Sequence, residues 1–245
     1  MSYVINLDRS PERYSEISTL LDNQDIPHER VCAIDGKLQT FTKEEIDEIG
    51  YERNHGKKPT TGETACYLSH IKSIKKFIQS PYEYALILED DMTFGDGFKD
   101  LIERTIKIHD HWDVVRLFAF HWGLPVRQRN LGNGYKMSYN FFRSTSAGAY
   151  LINRKAAVNY VEKLLPIIVP YDHEFTKSWK YNIRIFSLYP SPCRNTDAPS
   201  TIDYSQVTKN RNPWFKKCQT IVCRAINVTR TIWHGIAKGY IIPKS

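Results

Sequence analysis

The chain has 245 residues, of which 41% are hydrophobic and 25% charged, and a formal net charge of +7; these proportions suit one large soluble domain or one domain with an appendage, and no run approaches the ~18 apolar residues of a membrane span. The positive charge is confined to one end. Residues 205–245 hold eight Lys and Arg with no Asp or Glu, which leaves residues 1–204 one net negative charge, excludes a nucleic-acid-binding body and gives the C-terminus a role of its own.

In chain order, "SYVINL" (2–7) predicts a short buried strand, followed by the polar turn "DRSPER". Residues 11–24 predict a helix with Pro11 in its first turn. "HERVCAIDG" (28–36) is a second strand that ends in a turn at Asp35-Gly36. A polar stretch over 43–60 leads to Thr60-Thr61-Gly62-Glu63, the pattern of a capping box, ahead of a helix that carries Ala65, Leu68, Ile71, Ile74 and Ile78 on one side. "EYALILED" (83–90) is a strand, 97–109 a helix and "WDVVRLFAF" (112–120) a strand. Two strands are expected within 135–152, a helix over 154–165, another from about 171 to 180, and the strand "IRIFSLYP" (183–190). Strands alternating with helices, then a strand-rich middle, predict an α/β sandwich with a mixed sheet.

The five cysteines form no CxxC pair and are odd in number, and "MSYVINLDRS" lacks a basic region followed by an apolar core. Reduced thiols in a cytosolic protein are expected, with no secretory signal and no zinc site. The sequon Asn227-Val228-Thr229 matters only in a secreted protein and is set aside.

The chemistry concentrates at "LILEDD" (86–91). An apolar strand delivers Glu89, Asp90 and Asp91 in succession, and carboxylates that close repel unless a cation sits among them. Beyond the carboxyl end of a strand in an open α/β sheet, such hard oxygen ligands suit Mg²⁺ or Mn²⁺, which also coordinate phosphates. An isolated acidic turn is as often merely solvated, and here the context decides. "VINLDRSPER" (4–13), "AIDG" (33–36), "GETACYLSH" (62–70) and "LILEDD" (86–91), with "AGAYLINRKAA" (147–157) and "VPYDHEF" (169–175) as looser matches, resemble in order and spacing the segments of glycosyltransferase family 25. That family includes bacterial lipooligosaccharide galactosyl- and glucosyltransferases and collagen galactosyltransferases.

The resemblance implies a GT-A-like fold over residues 1–204, a UDP-sugar donor (UDP-galactose first, then UDP-glucose), Mn²⁺ or Mg²⁺, and a lipooligosaccharide acceptor. In that frame Asp91 and Glu89 are the metal ligands, and Asp90 binds metal, ribose or sugar unless strand alternation turns it outward. Asn6 either bonds the nucleotide or caps the next turn. Arg9 and Arg13 are candidates to neutralise the diphosphate, one of them being a solvated helix residue instead. Asp35 and Gly36 form either a ribose site or an Asp-Gly turn without ligand. Glu63 completes the cap whether or not it meets the donor. Ser69 and His70 are donor-site contacts by resemblance and structural residues otherwise, and Cys66 packs in the core. An inverting transfer needs a base for the acceptor hydroxyl; Asp172 is the candidate, Glu174 the second, and an N-cap at Asp172 is the structural alternative. His173 is an extra metal ligand or a solvated residue.

Residues 205–245 form the second unit. From Trp214 to Ile236 a helical wheel gathers Trp214, Cys218, Ile221, Val222, Ala225, Ile226, Ile232, Trp233 and Ile236 on one side, with Lys216, Lys217, Arg224 and Arg230 elsewhere. Such a helix is either an interfacial anchor on anionic lipid or a helix docked on the domain or on a second subunit. The sequence thus predicts a peripheral enzyme at the inner face of a bacterial inner membrane. Its rivals are a nucleotidyltransferase with the same carboxylates and a non-catalytic peripheral membrane protein with a degenerate sugar-nucleotide fold.

Overall fold

The computed structural model describes residues 1–120, 123–141, 145–196 and 217–240. The strands are β1 (Ser2–Asn6), β2 (His28–Cys32), β3 (Tyr84–Glu89), β4 (Met92–Phe94), β5 (Val114–Arg116), β6 (Pro125–Gly132), β7 (Tyr135–Asn140), β8 (Ala149–Asn153), β9 (Ile185–Tyr189) and β10 (Cys193–Asn195). The helices are α1 (Pro11–Asp22), α2 (Glu48–His55), α3 (Thr61–Gln79), α4 (Phe98–Lys107), α5 (Arg154–Val161), the single turns α6 (Tyr171–Glu174) and α7 (Ser178–Tyr181), and α8 (Lys217–Ala237).

Eight strands form one sheet in the order β2-β1-β3-β8-β5-β9-β7-β6, while β4 and β10 make a separate ribbon. β1 runs parallel to β2 and β3, and β8 is antiparallel to β3 and β5, so the sheet is mixed as expected. The central strands read as continuous apolar runs because both faces are covered. Along β1, Tyr3 and Ile5 join α3 and α5 in one core layer, and Val4 joins α1 and α4 in the other.

α3 begins where the capping box predicts. The Thr60 hydroxyl accepts from the Glu63 amide, and Glu63 Oε2 accepts from the Thr60 amide, each at 3.1 Å. The helix expected over 171–180 is instead two turns: Tyr160 donates its hydroxyl to the Phe175 carbonyl at 2.7 Å, and Lys177 leaves the helical region with ψ 67°. "WDVVRLFAF" ladders only at Val114–Arg116. β6 is a strand that alternation does not reveal, because two register shifts interrupt it; the Asn133-Gly134 pair, both at positive φ, turns it into β7.

α8 lies on the body with its polar side inward. Thr220 donates to the Arg53 carbonyl, Arg224 to the His55 carbonyl, and the Thr231 carbonyl accepts from the Tyr139 hydroxyl, at 3.0–3.1 Å. His234 meets Ser178, and Arg230 stacks over Trp179. The apolar stripe points away: Ile221, Val222, Ile226, Trp233 and Ile236 are 42–66% exposed. A surface helix normally docks by that stripe; this one is turned over. Trp214 and Lys216 lie outside the described residues.

Candidate functional site

A cavity of about 310 Å³ opens beyond the C-terminal ends of β1 and β3, walled by the segment after β2 and the first turns of α3. That is where a parallel arrangement of strands exposes loop ends to ligands. Arg9, Arg13, Asp35, Gly36, Ser69, His70, Glu89, Asp90 and Asp91 all line it. Residues far apart in sequence, from Arg9 to Asn195, meet there, and just behind them Asn6 donates to Asp90 Oδ2 at 2.7 Å.

The cation that the three carboxylates ask for is, within the chain, Arg13. Its Nη2 lies 2.6 Å from Asp90 and 3.4 Å from Asp91. One guanidinium does not balance three carboxylates. Burial, with the Glu89 charge beside it, pushes the Asp91 carboxyl up to about 7 against the pull of Arg13. Asp90 is also raised, by burial first. A divalent cation fits this cluster, since it would supply the missing charge to oxygen ligands already in place. With its side-chain amide turned so that nitrogen faces Asp91, Asn195 donates to Oδ2 at 3.1 Å, and the Asp91 carbonyl accepts from the Thr196 amide.

Asp90 does not turn away from its neighbours. β3 ends at Glu89 and the chain turns, so strand alternation no longer applies, and Asp90 lines the same cavity. Asn6 takes the second of its two readings, a bond to the turn that follows β1. Its amide bonds Ser10 and Asp90 and accepts from Arg30, and only 1% of the residue is exposed, so it orients Asp90 and presents nothing to a ligand. Glu63 is absent from the cavity wall; it serves the cap and pairs with Lys57 at 2.6 Å. Ser69 donates to Ala65 and accepts from the Ile34 amide, tying α3 to the segment after β2.

Another part of the wall carries Arg9 and Lys37, together with Thr61 and Gly62 at the N-terminus of a 19-residue helix, where backbone amides and the helix dipole favour anions; Arg13 stays with the carboxylates. Arg9 pairs with Asp35, whose other oxygen accepts from the Lys37 amide. Gly36 is required by packing as much as by any ligand: a Cβ there would sit 2.5 Å from the Thr61 carbonyl oxygen.

Asp172 sits behind the wall. The N-cap of α6 is Pro170, so Asp172 does not cap its own helix; its carboxylate accepts from the Ser146 amide at 3.4 Å, and Ser146 lines the cavity with φ 101°. Strained backbone of this kind costs on the order of 1–3 kcal/mol and clusters at functional sites. Glu174 stands off the cavity wall, paired with Lys177 and Lys180. It is 1% exposed, and although burial works to raise its carboxyl, Lys177 and Lys180 hold it below the usual range. His173 stays 3.9 Å from Asp172 and does not line the cavity. Ser146, Asn195 and the rim aromatics Phe118 and Phe120 were invisible in the sequence, since nothing local links them to the carboxylates.

The family model described as glycosyltransferase family 25 (LPS biosynthesis protein) matches residues 1–175. A glycosyltransferase 25 family member of Aedes aegypti is 32% identical over 123 residues, covering 46% of this chain and 20% of that protein. Procollagen galactosyltransferase 2 of Homo sapiens is 32% identical over 120 residues, 47% of this chain and 19% of that one. A Bos taurus protein named probable inactive glycosyltransferase 25 family member 3 is 24% identical over 236 residues, 86% of this chain and 39% of that one. The chain thus spans about a fifth of the length of the first two relatives.

Proposed function

The chain belongs to glycosyltransferase family 25, and on that premise we propose that it transfers a hexose from a UDP-sugar, galactose before glucose, to a lipooligosaccharide hydroxyl with inversion. One observation carries this reading: a single cavity is lined by three carboxylates, two of them bridged by Arg13, and also by Arg9, Lys37 and a helix N-terminus. A nucleoside diphosphate with a divalent cation has the complementary charge pattern. Asp91 and Glu89 would hold Mn²⁺ or Mg²⁺, which offsets charge on the departing diphosphate. Arg9, Arg13 and the first amides of α3 bind the phosphates, and Asp172, which does not itself line the cavity but meets the lining residue Ser146, takes the proton of the attacking hydroxyl through an intervening water.

The name of the bovine relative motivates a non-catalytic second reading. Incubation with UDP-galactose or UDP-glucose, Mn²⁺ and acceptor, and in parallel with a nucleoside triphosphate, Mn²⁺ and a sugar 1-phosphate, separates the alternatives. UDP release is expected. Pyrophosphate release from a nucleoside triphosphate would make the protein a nucleotidyltransferase, and no metal-dependent release of either product would leave a binding protein.

The proposal places the enzyme on the inner face of a bacterial inner membrane, with α8 lying on anionic lipid. The outward apolar stripe and the basic residues of 205–245 other than Arg224 and Arg230, which meet the body, support this: each Lys or Arg near such a surface adds about 1 kcal/mol, and buried Trp and Ile side chains add a hydrophobic contribution. Among the described residues no helix is long and apolar enough to cross a membrane. Replacing Trp233 and Ile226 by Ser is expected to reduce co-sedimentation with anionic vesicles and to leave the melting temperature unchanged, since both side chains are exposed. Unchanged vesicle binding in that variant rejects the anchor, and a wild-type dimer in light scattering that the variant abolishes assigns the stripe to a second copy of the chain.

A further inference from the structure

On the inner wall of the cavity Cys66 and His70 stand one helical turn apart on α3, and Glu89 faces them from the end of β3. Their ligand atoms all lie within 4.8 Å of one another. This group is offset from the arginine-bound carboxylates. Asp90 and Asp91 face Arg13, whereas Glu89 faces His70 with Oε1 3.2 Å from Nε2.

The imidazole is held as ligating histidines are held. Its ring lies flat against Tyr171, with centroids 4.1 Å apart and planes 8° from parallel. Nδ1 is 3.2 Å from the Tyr150 hydroxyl, which is itself 3.1 Å from the Tyr171 hydroxyl. A partner on one ring nitrogen sets which tautomer presents a lone pair at the other. Without an ion, Nε2–H donates to Glu89. With an ion at Nε2 the ring proton resides on Nδ1, and the Tyr150 hydroxyl accepts it while donating to Tyr171. The two phenols serve either state without rearrangement.

We propose that Cys66, His70 and Glu89 form a site for a thiophilic divalent ion of the zinc class, distinct from the Asp91 position and open to the cavity at its remaining coordination place. One sulfur, one imidazole nitrogen and one carboxylate oxygen is a ligand set that suits Zn²⁺ or Co²⁺ and not Mg²⁺, and three protein ligands with an open fourth position mark a reactive or regulated site as opposed to a structural one. Binding forms a metal–sulfur bond and releases the thiol proton to water. No CxxC announces the site, because a helix and a strand contribute its ligands. Resting on the transferase reading, one consequence follows: Glu89 is shared, so zinc in this site competes with the ion that carries the donor diphosphate and inhibits transfer.

Cobalt titration of the chelator-stripped full chain, followed by absorption, tests the site without donor or acceptor, so its outcome is independent of whether transfer occurs. The wild type is expected to show a sulfur-to-cobalt charge-transfer band that zinc displaces. Cys66→Ser should lose that band, His70→Gln should weaken cobalt binding by more than the roughly 10- to 100-fold that losing only an outer partner of a ligating histidine costs, and Asp91→Asn should keep the band. Melting curves establish that each variant is folded, and Cys66→Ala serves as a second variant if Cys66→Ser is not. A wild type without the band, a band that survives in a folded Cys66 variant, or a band lost in Asp91→Asn overturns the proposal; the second of these would assign the thiolate to another cysteine, and the third would merge the two metal positions into one.

Discussion

Asp91→Asn is expected to reduce transfer on the order of 10²–10⁴-fold, the several kcal/mol a bound cation contributes when charge develops on a leaving group, and at the same time to stabilise the metal-free protein. The second effect follows from the raised carboxyl. Burial and Glu89 put Asp91 at about 7, against ~3.9 in an unfolded chain. A carboxyl shifted upward contributes its stability fully below about pH 4 and loses it as pH rises through about 7. The rise from about 3.9 to about 7 corresponds to at most about 4 kcal/mol above pH 8. The metal-free Asp91→Asn variant should therefore melt above the wild type at pH 8, by about 2–4 °C for each kcal/mol recovered, and level with it near pH 4. Mn²⁺ should stabilise the wild type more at pH 8 than at pH 6, where it must displace a proton, and this gain should shrink in the variant. Near-normal, chelator-sensitive transfer by Asp91→Asn would remove Asp91 from the metal site.

Asp172→Asn carries the second large effect. Asn keeps a carbonyl oxygen for the Ser146 amide, so the loop at φ 101° retains its support and the fold should hold. A base is lost, however, and transfer should fall by on the order of 10²–10⁴-fold while UDP-sugar affinity stays near the wild-type value. The capping role that would make Asn an equal substitute does not apply, because Pro170 holds the N-cap position. Full activity in Asp172→Asn would dismiss it as the base, and Glu174, locked among Lys177, Lys180 and Tyr181, would not replace it.

Much of the scaffold is written locally. The capping box at Thr60 and Glu63, the apolar run before Glu89 and the helical spacing from Ala65 to Ile78 each act within a turn or a strand, so periodicity and capping chemistry announce α3 and β3 to within a few residues. Elements whose signal depends on distant partners were less legible. The helix over 171–180 breaks because Tyr160, from α5, takes the Phe175 carbonyl, and β6 is masked by its own register shifts.

The same division holds at the site. By itself the sequence determined that three carboxylates leave one strand together, that they need a cation, and that the C-terminal segment is basic and amphipathic, because charge and hydrophobic period are properties of neighbouring residues. Tertiary structure alone decided which cation meets them, since Arg13 reaches Asp90 across 77 positions of sequence. It also decided that Asn6 faces Asp90 and not a ligand, that Glu174 is neutralised by lysines, and that Cys66, His70 and Glu89 converge. Amphipathicity could not say which side of α8 faces the body. Hydrogen bonds to the Arg53 and His55 carbonyls, from the Tyr139 hydroxyl and with Ser178, all distant in sequence, hold its polar side inward and leave the apolar side to solvent.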